Sequence, residues 1–426
     1  MNNFILIRAQ QKSDWVSCQS IVSNLEESYR KIFPEVKVFY FNRDDNELES
    51  YQIAKEIIAS NADEIIFIDH TPHPANIIRR LHQISPAYKP TLSFHIFGDF
   101  VLHSAQWYEL SGILQNYPLN FICASNKQQD LIASFLNNTQ NSSLTPFPVM
   151  EDAFYFNEEE RRATREKWGL KDTDFLFLYT GRVSQQKNVL ELVKAFNSCL
   201  KLSNDEAYLY FAGPFDDMGI PYKGQDNPHG AYFQRWENIH QSINQNNIKY
   251  IFNLNATELR QAYNAADYFI SLSTHNDEDF GMSPAEAALC GLPLILSDWG
   301  GYSSFKTWLK DDCTLVPINL DDLRPLPDLS NFRKQLYKSL NQKPSLQQRE
   351  VISQKAQRAF SINAVSQMNK KRLSHAAPPL FEGFNSHFYK LSAIFKSSPY
   401  SPFNGSFGKF SSFYFDIYAP YMEKSP

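Results

Sequence analysis

Phe175-Leu176-Phe177-Leu178-Tyr179-Thr180-Gly181-Arg182-Val183-Ser184-Gln185-Gln186-Lys187-Asn188-Val189 passes from an apolar run through a polar turn into an amphipathic stretch. The uncharged run Phe175 to Thr180 reads as a strand buried on both faces. Gly181 ends it. Asn188 to Leu202 then has helical spacing, with Asn188 placed to cap and Glu191 three residues on. The alternation continues downstream. Ala207 to Ala212, Lys249 to Leu254, Asp267 to Leu272 and Leu292 to Leu296 read as strands, with helices at Thr257 to Ala265 and Pro284 to Cys290. Strands that take turns with helices build a parallel sheet covered on both faces.

The first part of the chain carries the same pattern. Strand candidates are Phe4 to Ile7, Val36 to Phe41, Glu64 to Ile68, Thr91 to Ile96 and Asn120 to Ala124, with helices at Val16 to Ile32, Leu48 to Ser60 and Ala75 to Gln83. A charged helix from Asn157 to Trp168, stopped by Gly169, separates the two series. The expectation is an α/β fold of two Rossmann-like, doubly wound parallel-sheet domains, residues 1–165 and 166–375, facing a central cleft. Ligands in such sheets bind beyond the carboxyl ends of the strands. Ser330 to Leu373 reads as polar and helical. Residues 376–426 form an aromatic-rich tail in which positions 381 to 426 hold fourteen Phe or Tyr. That much apolar area, at about 25 cal/mol per Å² buried, favours packing back on the domains; a contact for a partner, lipid or acceptor is the alternative.

Composition narrows the function. The 426 residues hold 41 Lys plus Arg against 46 Asp plus Glu, a net charge of −5, which gives no global attraction to nucleic acid. The five cysteines, Cys18, Cys123, Cys199, Cys290 and Cys313, are scattered without metal-ligand or disulfide spacing. No apolar run approaches the ~20 residues that a bilayer needs. A cytoplasmic location is expected, with peripheral membrane contact left open.

Two loops carry the chemistry. The first is Gly181 to Lys187, where Arg182 leaves a strand end and Lys187 precedes a helix. An Arg can hold a diphosphate through paired N–H donors and a Lys as a point charge, although alone such a pair is more often a solvated surface pair. The second is Asp277-Glu278-Asp279-Phe280-Gly281-Met282-Ser283-Pro284-Ala285-Glu286-Ala287-Ala288-Leu289-Cys290-Gly291-Leu292-Pro293. Ser283, Pro284 and Glu286 match a capping box, which puts a helix N-terminus behind a glycine loop, a site for an anionic phosphate. Taken alone, Glu286 is equally a cap and Glu278 a solvated acid.

The eight-residue spacing of Glu278 and Glu286 around Phe280-Gly281 resembles the E-x7-E signature of retaining GT-B glycosyltransferases of the family 4 type. Gly181, Arg182 and Lys187 match the family's G-R-x4-K pattern. Phe211-Ala212-Gly213-Pro214, Thr257 to Asp267 and Ser297 to Gly301 follow in the family's order, so the resemblance runs from about Asp174 to Gly301. It implies transfer of a sugar from a nucleotide diphosphate sugar, a UDP-sugar or GDP-mannose, to a hydroxyl of a glycan, lipid or protein acceptor with retention. No metal and no cofactor is implied. The first domain would face the acceptor and the second the donor. By the same resemblance Glu278, Arg182, Lys187 and His95 act in catalysis. Glu286 binds the ribose, and Phe280, Gly281, Met282, Ser283 and Gly213 line the donor site.

Other readings stay beside this one. His95, in Phe94-His95-Ile96-Phe97-Gly98-Asp99, either faces the donor sugar, as at a comparable strand end of related enzymes, or is satisfied within its own domain. The loop Arg8 to Trp15 lacks the family's glycine pair, so Arg8 or Lys12 is a candidate for the acceptor instead. Asp69-His70-Thr71-Pro72-His73 has metal-ligand residue types in a turn better read as a loop. Asp277-Glu278-Asp279 also fits the D-x-D pattern that holds Mn²⁺ or Mg²⁺ in the other large glycosyltransferase fold. A nucleotide-sugar 2-epimerase or a non-catalytic sugar-nucleotide binding protein fits the same scaffold.

Overall fold

The apolar runs find partners in two parallel six-stranded sheets. The computed structural model describes residues 3–10, 16–42, 47–68, 74–98, 100–200, 207–217, 228–276, 278–320, 325–397 and 407–422, the side chains of 397 and 407–413 apart. The elements alternate as β1 (Phe4–Ala9), α1 (Val16–Ile32), β2 (Val38–Phe41), α2 (Glu47–Ser60), β3 (Glu64–Phe67), α3 (Ala75–Ile84), β4 (Thr91–His95), α4 (Ser104–Leu114), β5 (Leu119–Cys123), α5 (Asn126–Ala133) and β6 (Ser142–Leu144). The second series is α6 (Glu158–Lys167), β7 (Phe175–Thr180), α7 (Val189–Leu200), β8 (Ala207–Ala212), α8 (Ala231–His240), β9 (Ile248–Tyr250), α9 (Ala256–Ala265), β10 (Tyr268–Ser271), α10 (Met282–Leu289), β11 (Leu294–Ser297), α11 (Phe305–Leu309) and β12 (Cys313–Val316). A small hairpin, β13 (Ile318–Asn319) and β14 (Leu326–Pro327), leads to α12 (Leu329–Leu340), α13 (Leu346–Phe360), α14 (Ile362–Leu373), α15 (Ser386–Ser397) and α16 (Phe407–Met422).

The first sheet has the order β2-β1-β3-β4-β5-β6 and the second β12-β11-β10-β7-β8-β9. Each winds outward in both directions from its first strand, the doubly wound arrangement of Rossmann-like domains. Leu6, Ile65, Leu92 and Phe121 in the first sheet and Leu176, Leu178, Leu209 and Ile270 in the second are wholly buried, as runs flanked by helices on both faces require. β9 stops at Tyr250, short of Leu254, because Phe252 turns into the left-handed region at φ 62°.

The chain divides into two units, Met1–Val149 with Phe360–Pro402, and Met150–Ala359 with Phe403–Lys424. The expected boundaries near 165 and 375 therefore move. α6 belongs to the second unit because Arg161 and Arg165 both reach the buried Asp267, Nη2 to Oδ1 at 2.6 Å and Nη1 to Oδ2 at 3.2 Å. α14 belongs to the first because Ser366 donates to the Ser28 carbonyl and Asn369 accepts from Tyr29 on α1. The aromatic tail is shared between the units. Phe381, Phe384 and Phe388 pack on Phe100, Phe121 and Phe135 of the first, and Tyr418 and Tyr421 on Trp299 of the second.

In the second unit a fully buried arginine ties three elements together. Arg349 on α13 donates to the carbonyls of Tyr263, Asn264 and Ala266, at the end of α9, and of Cys290, just past α10. These are helix-end acceptors that lack an intrahelical donor. Burial lowers its guanidinium to about 9.

Candidate functional site

Strand order locates the site in the second unit. β7 and β10 are neighbours whose chain connections depart in opposite directions, and loops at the carboxyl ends of such a pair form the ligand crevice of an open α/β sheet. These loops are Gly181–Asn188 after β7 and the segment after β10 that ends at Gly281.

Backbone and amide contacts lock the two loops together. Asn188 takes a left-handed conformation, φ 52°, behind the 3-10 turn Gln185–Lys187. Its side chain donates to the Leu272 carbonyl at 2.8 Å and the Thr274 hydroxyl at 2.9 Å, while the Thr274 N–H donates to the Gln186 carbonyl at 3.0 Å. The expected cap by Asn188 on its own helix is thus replaced by a bond across the sheet. The β7 loop is tied on its other side to the loop after β8: the Gly181 N–H donates to Ala212 and the Val183 N–H to Pro214. Gly213, at φ 131°, admits no Cβ because the Gly181 carbonyl fills that space.

This frame brings the charged residues of both motifs together. Lys187 Nζ lies 2.5 Å from Glu278 Oε2, with side-chain exposures of 14% and 7%. Arg182 Nη1 lies 2.5 Å from Asp216 Oδ2 in the loop after β8. His275 sits nearby, held neutral by burial and by the fields of Lys187 and Arg182. The Tyr179 hydroxyl donates to the Arg182 carbonyl, and a Cβ placed on Gly181 would come within 4.0 Å of the Ser283 hydroxyl. The basic loop therefore adjoins the first turn of α10.

That first turn differs from the expected capping box. α10 begins at Met282, with Gly281 as the N-cap residue at φ 112° and no side-chain cap bond. Ser283 and Glu286 are not a cap pair. The helix thus starts two residues earlier than expected, and Gly281 sits where a Cβ would strike the Tyr302 ring, a close approach open to glycine alone. Met282 and Ser283 then occupy the first turn, where N–H groups have no intrahelical acceptor, and the dipole adds positive potential.

Glu286, one turn further on, is placed by residues that the motifs leave out. The Tyr263 hydroxyl donates to Oε2 of Glu286 at 3.1 Å and is itself 2.6 Å from the Thr180 hydroxyl at the end of β7. Burial pushes the Glu286 carboxyl up to about 7, with the Tyr263 hydrogen bond opposing the rise. Tyr263 is legible in sequence only as part of the run before Asp267. Asp216 and Tyr302 have no local signal at all.

Other residues singled out in the sequence have contacts of their own. The ring of Phe280 is buried, 5.5 Å from Phe305 and 5.6 Å from Trp308 between centroids. His95 is 0% exposed inside the first unit. Its Nε2 is 2.7 Å from the Tyr29 hydroxyl, which also bonds Asn369 and Arg372, while its Nδ1 is buried without a partner among the described residues. Arg8 is paired with Glu26 at 2.6 Å. Lys12, the turn Asp69 to His73, Asp99 and Asp277 lie outside the described residues. Asp279 accepts from the Tyr421 hydroxyl of α16 at 2.9 Å. Among the described residues, no helix is long and apolar enough to cross a membrane.

Comparison with known proteins gives this geometry a context. Residues 160–307 match the family model of glycosyl transferases group 1. Over 222 residues, half of this chain, the sequence is 24% identical to the alpha-monoglucosyldiacylglycerol synthase of Streptococcus pneumoniae; the match spans 45% of that protein, under half its length. Among solved structures, Anabaena HepE in complex with UDP superposes with a TM-score of 0.64 at 14% identity, covering 87% of this chain and 99% of that one. Sucrose-phosphate synthase from Thermosynechococcus elongatus gives 0.58 at 16% identity, covering 88% and 98%. The fold is that of the GT-B glycosyltransferases, two Rossmann-like domains.

Proposed function

We propose that this protein is a retaining, metal-independent glycosyltransferase that moves a hexose from a nucleotide diphosphate sugar to an acceptor hydroxyl. The observation that carries the reading is the ion pair between Lys187 and Glu278, which joins the G-R-x4-K loop to the E-x7-E loop at the β7–β10 switch point. The matched family and the solved relative that binds UDP support it, and UDP-glucose is the leading donor ahead of GDP-mannose. The name of the streptococcal relative specifies an alpha product. UDP-glucose is itself α-linked, so that name favours retention.

The barrier in such a transfer is cleavage of the anomeric C–O bond while negative charge gathers on the departing diphosphate. Arg182, Lys187 and the N–H groups of Met282 and Ser283 supply positive charge and dipoles for it, held in place before the reaction by Asp216, Glu278 and the locked loops. Glu278 accepts hydrogen bonds from the donor sugar hydroxyls, and Glu286, braced by Tyr263, from the ribose. The acceptor oxygen then attacks the anomeric carbon on the face the diphosphate leaves, passing its proton to the leaving phosphate. No carboxylate serves as a nucleophile.

The test is incubation with UDP-glucose, UDP-galactose and GDP-mannose, each with a monosaccharide, an oligosaccharide and diacylglycerol in mixed micelles. Acceptor-dependent release of nucleoside diphosphate, with an α product by NMR and no loss in EDTA, is expected. An epimerised donor without acceptor would make the protein an isomerase. Binding without turnover would make it a sensor, and Mn²⁺-rescued loss in EDTA would point to the D-x-D reading.

A further inference from the structure

Thr91, Asn120 and Thr145 in the first unit are more than nine-tenths buried, at 7%, 6% and 3% exposure. Among the described residues their side chains make no hydrogen bond, and their polar atoms are not sealed from solvent, so they face open space rather than the core. All three line one cavity of about 460 Å³, within the usual range of small-molecule sites. Ser143, on the same wall, has a buried hydroxyl that is likewise without a partner.

The cavity opens at an unexpected end of the sheet. Glu64 begins β3, Thr91 begins β4, Asn120 is the second residue of β5 and Ser142 begins β6. These are amino ends of four neighbouring strands, and the wall continues along the edge strand β6 to Thr145, just past its carboxyl end. The remaining wall is the last turn of α14 and the segment after it, with Lys371, Arg372 and His375. Arg372 Nη1 is 2.5 Å from Glu64 Oε1, so those two charges cancel, yet its Nε is buried without a partner. Lys371, exposed at the mouth, leaves the site with an excess positive charge.

We propose that this cavity is a second binding site, for a small polyhydroxylated anion of the sugar phosphate class. The hydroxyls of Thr91 and Thr145 and the amide of Asn120 can both donate and accept, which suits sugar hydroxyls. Lys371 receives the anionic group. The proposal does not depend on the transferase reading, because every residue in it belongs to the first unit.

Calorimetric titration of the full chain with glucose 6-phosphate, inorganic phosphate and glucose tests it. Glucose 6-phosphate should bind one per chain, at least about tenfold tighter than either fragment. Lys371→Ala, at an exposed position, and Thr91→Val, which keeps the side-chain shape, should each weaken it at least about tenfold with the melting temperature kept. Three outcomes would overturn the proposal: no saturable binding of glucose 6-phosphate up to about 10 mM, unchanged affinity in both variants, or phosphate binding as tightly as the sugar phosphate, which would reduce the site to a simple anion site.

Discussion

The ammonium of Lys187 and the carboxylate of Glu278 meet at 2.5 Å across 91 residues of sequence. Neither is exposed enough for the contact to be an incidental surface pair, whose value is about 0–1 kcal/mol. We expect Lys187→Ala and Glu278→Ala each to lower transfer by a factor of ~100 to 1,000. Each single change also leaves the other charge uncompensated, so the double variant should melt at a higher temperature than the sum of the two losses predicts. A strictly additive cycle in stability would dissolve the pair.

Glu286 sets a pH dependence with an unusual sign. Its carboxyl ionises near 7 rather than near 4.5 because it is buried. The carboxylate that accepts the ribose hydroxyls therefore fades as pH falls below about 7, and donor KM should rise there. For stability the direction reverses. The folded state holds this proton more tightly than the unfolded state, so the group's contribution is full below about 4.5 and is lost as pH rises through about 7. Glu286→Gln should flatten both profiles. A donor KM with the same pH profile in that variant would remove Glu286 from donor binding.

Tyr263 acts on Glu286 as a positioning residue. Its hydrogen bond stabilises the carboxylate, so Tyr263→Phe should move the midpoint of the donor-KM profile to higher pH. At pH 7 we expect a raised donor KM and an almost unchanged kcat at saturating donor, the signature of lost binding shared by ground and transition states. A fall in kcat alone would assign Tyr263 another role.

Ser283 distinguishes two accounts of α10. A capping serine replaced by alanine typically costs about 1 kcal/mol. With Gly281 as the N-cap, Ser283→Ala should alter stability by less than about 0.5 kcal/mol. Chemical denaturation decides between them.

Asp267 holds the second unit together from 0% exposure, accepting from Arg161, Arg165 and the Leu176 N–H. Asp267→Asn leaves two largely buried guanidinium groups without a counter-charge. A loss of about 3–5 kcal/mol is expected in urea unfolding.

The sheets were legible because their strands are uninterrupted apolar runs. Phe175–Thr180 and Ala207–Ala212 keep the bounds that alternation alone assigns. Local patterning fails where a distant contact overrides a local one. Asn188 has the type and place of a cap, yet its amide is taken by Leu272 and Thr274 across the sheet. Ser283-Pro284-Ala285-Glu286 spells a capping box, but the helix begins earlier, behind Gly281, which packs against Tyr302. The short β6 and the edge strand β12 escape notice because neither has a long apolar run. Arg182 and Lys187 could be singled out from sequence. Their partners could not, since nothing near Asp216 announces an arginine 34 residues away.

The Tyr421 hydroxyl that bonds Asp279 comes from the last turn of α16, 142 residues downstream, and its ring packs against Gly300 beneath the backbone of Glu278. During synthesis the strands and helices around this acidic loop emerge from the ribosome well before the residue that braces it. The brace between Tyr421 and Asp279 therefore cannot form until the carboxyl-terminal helix has been translated.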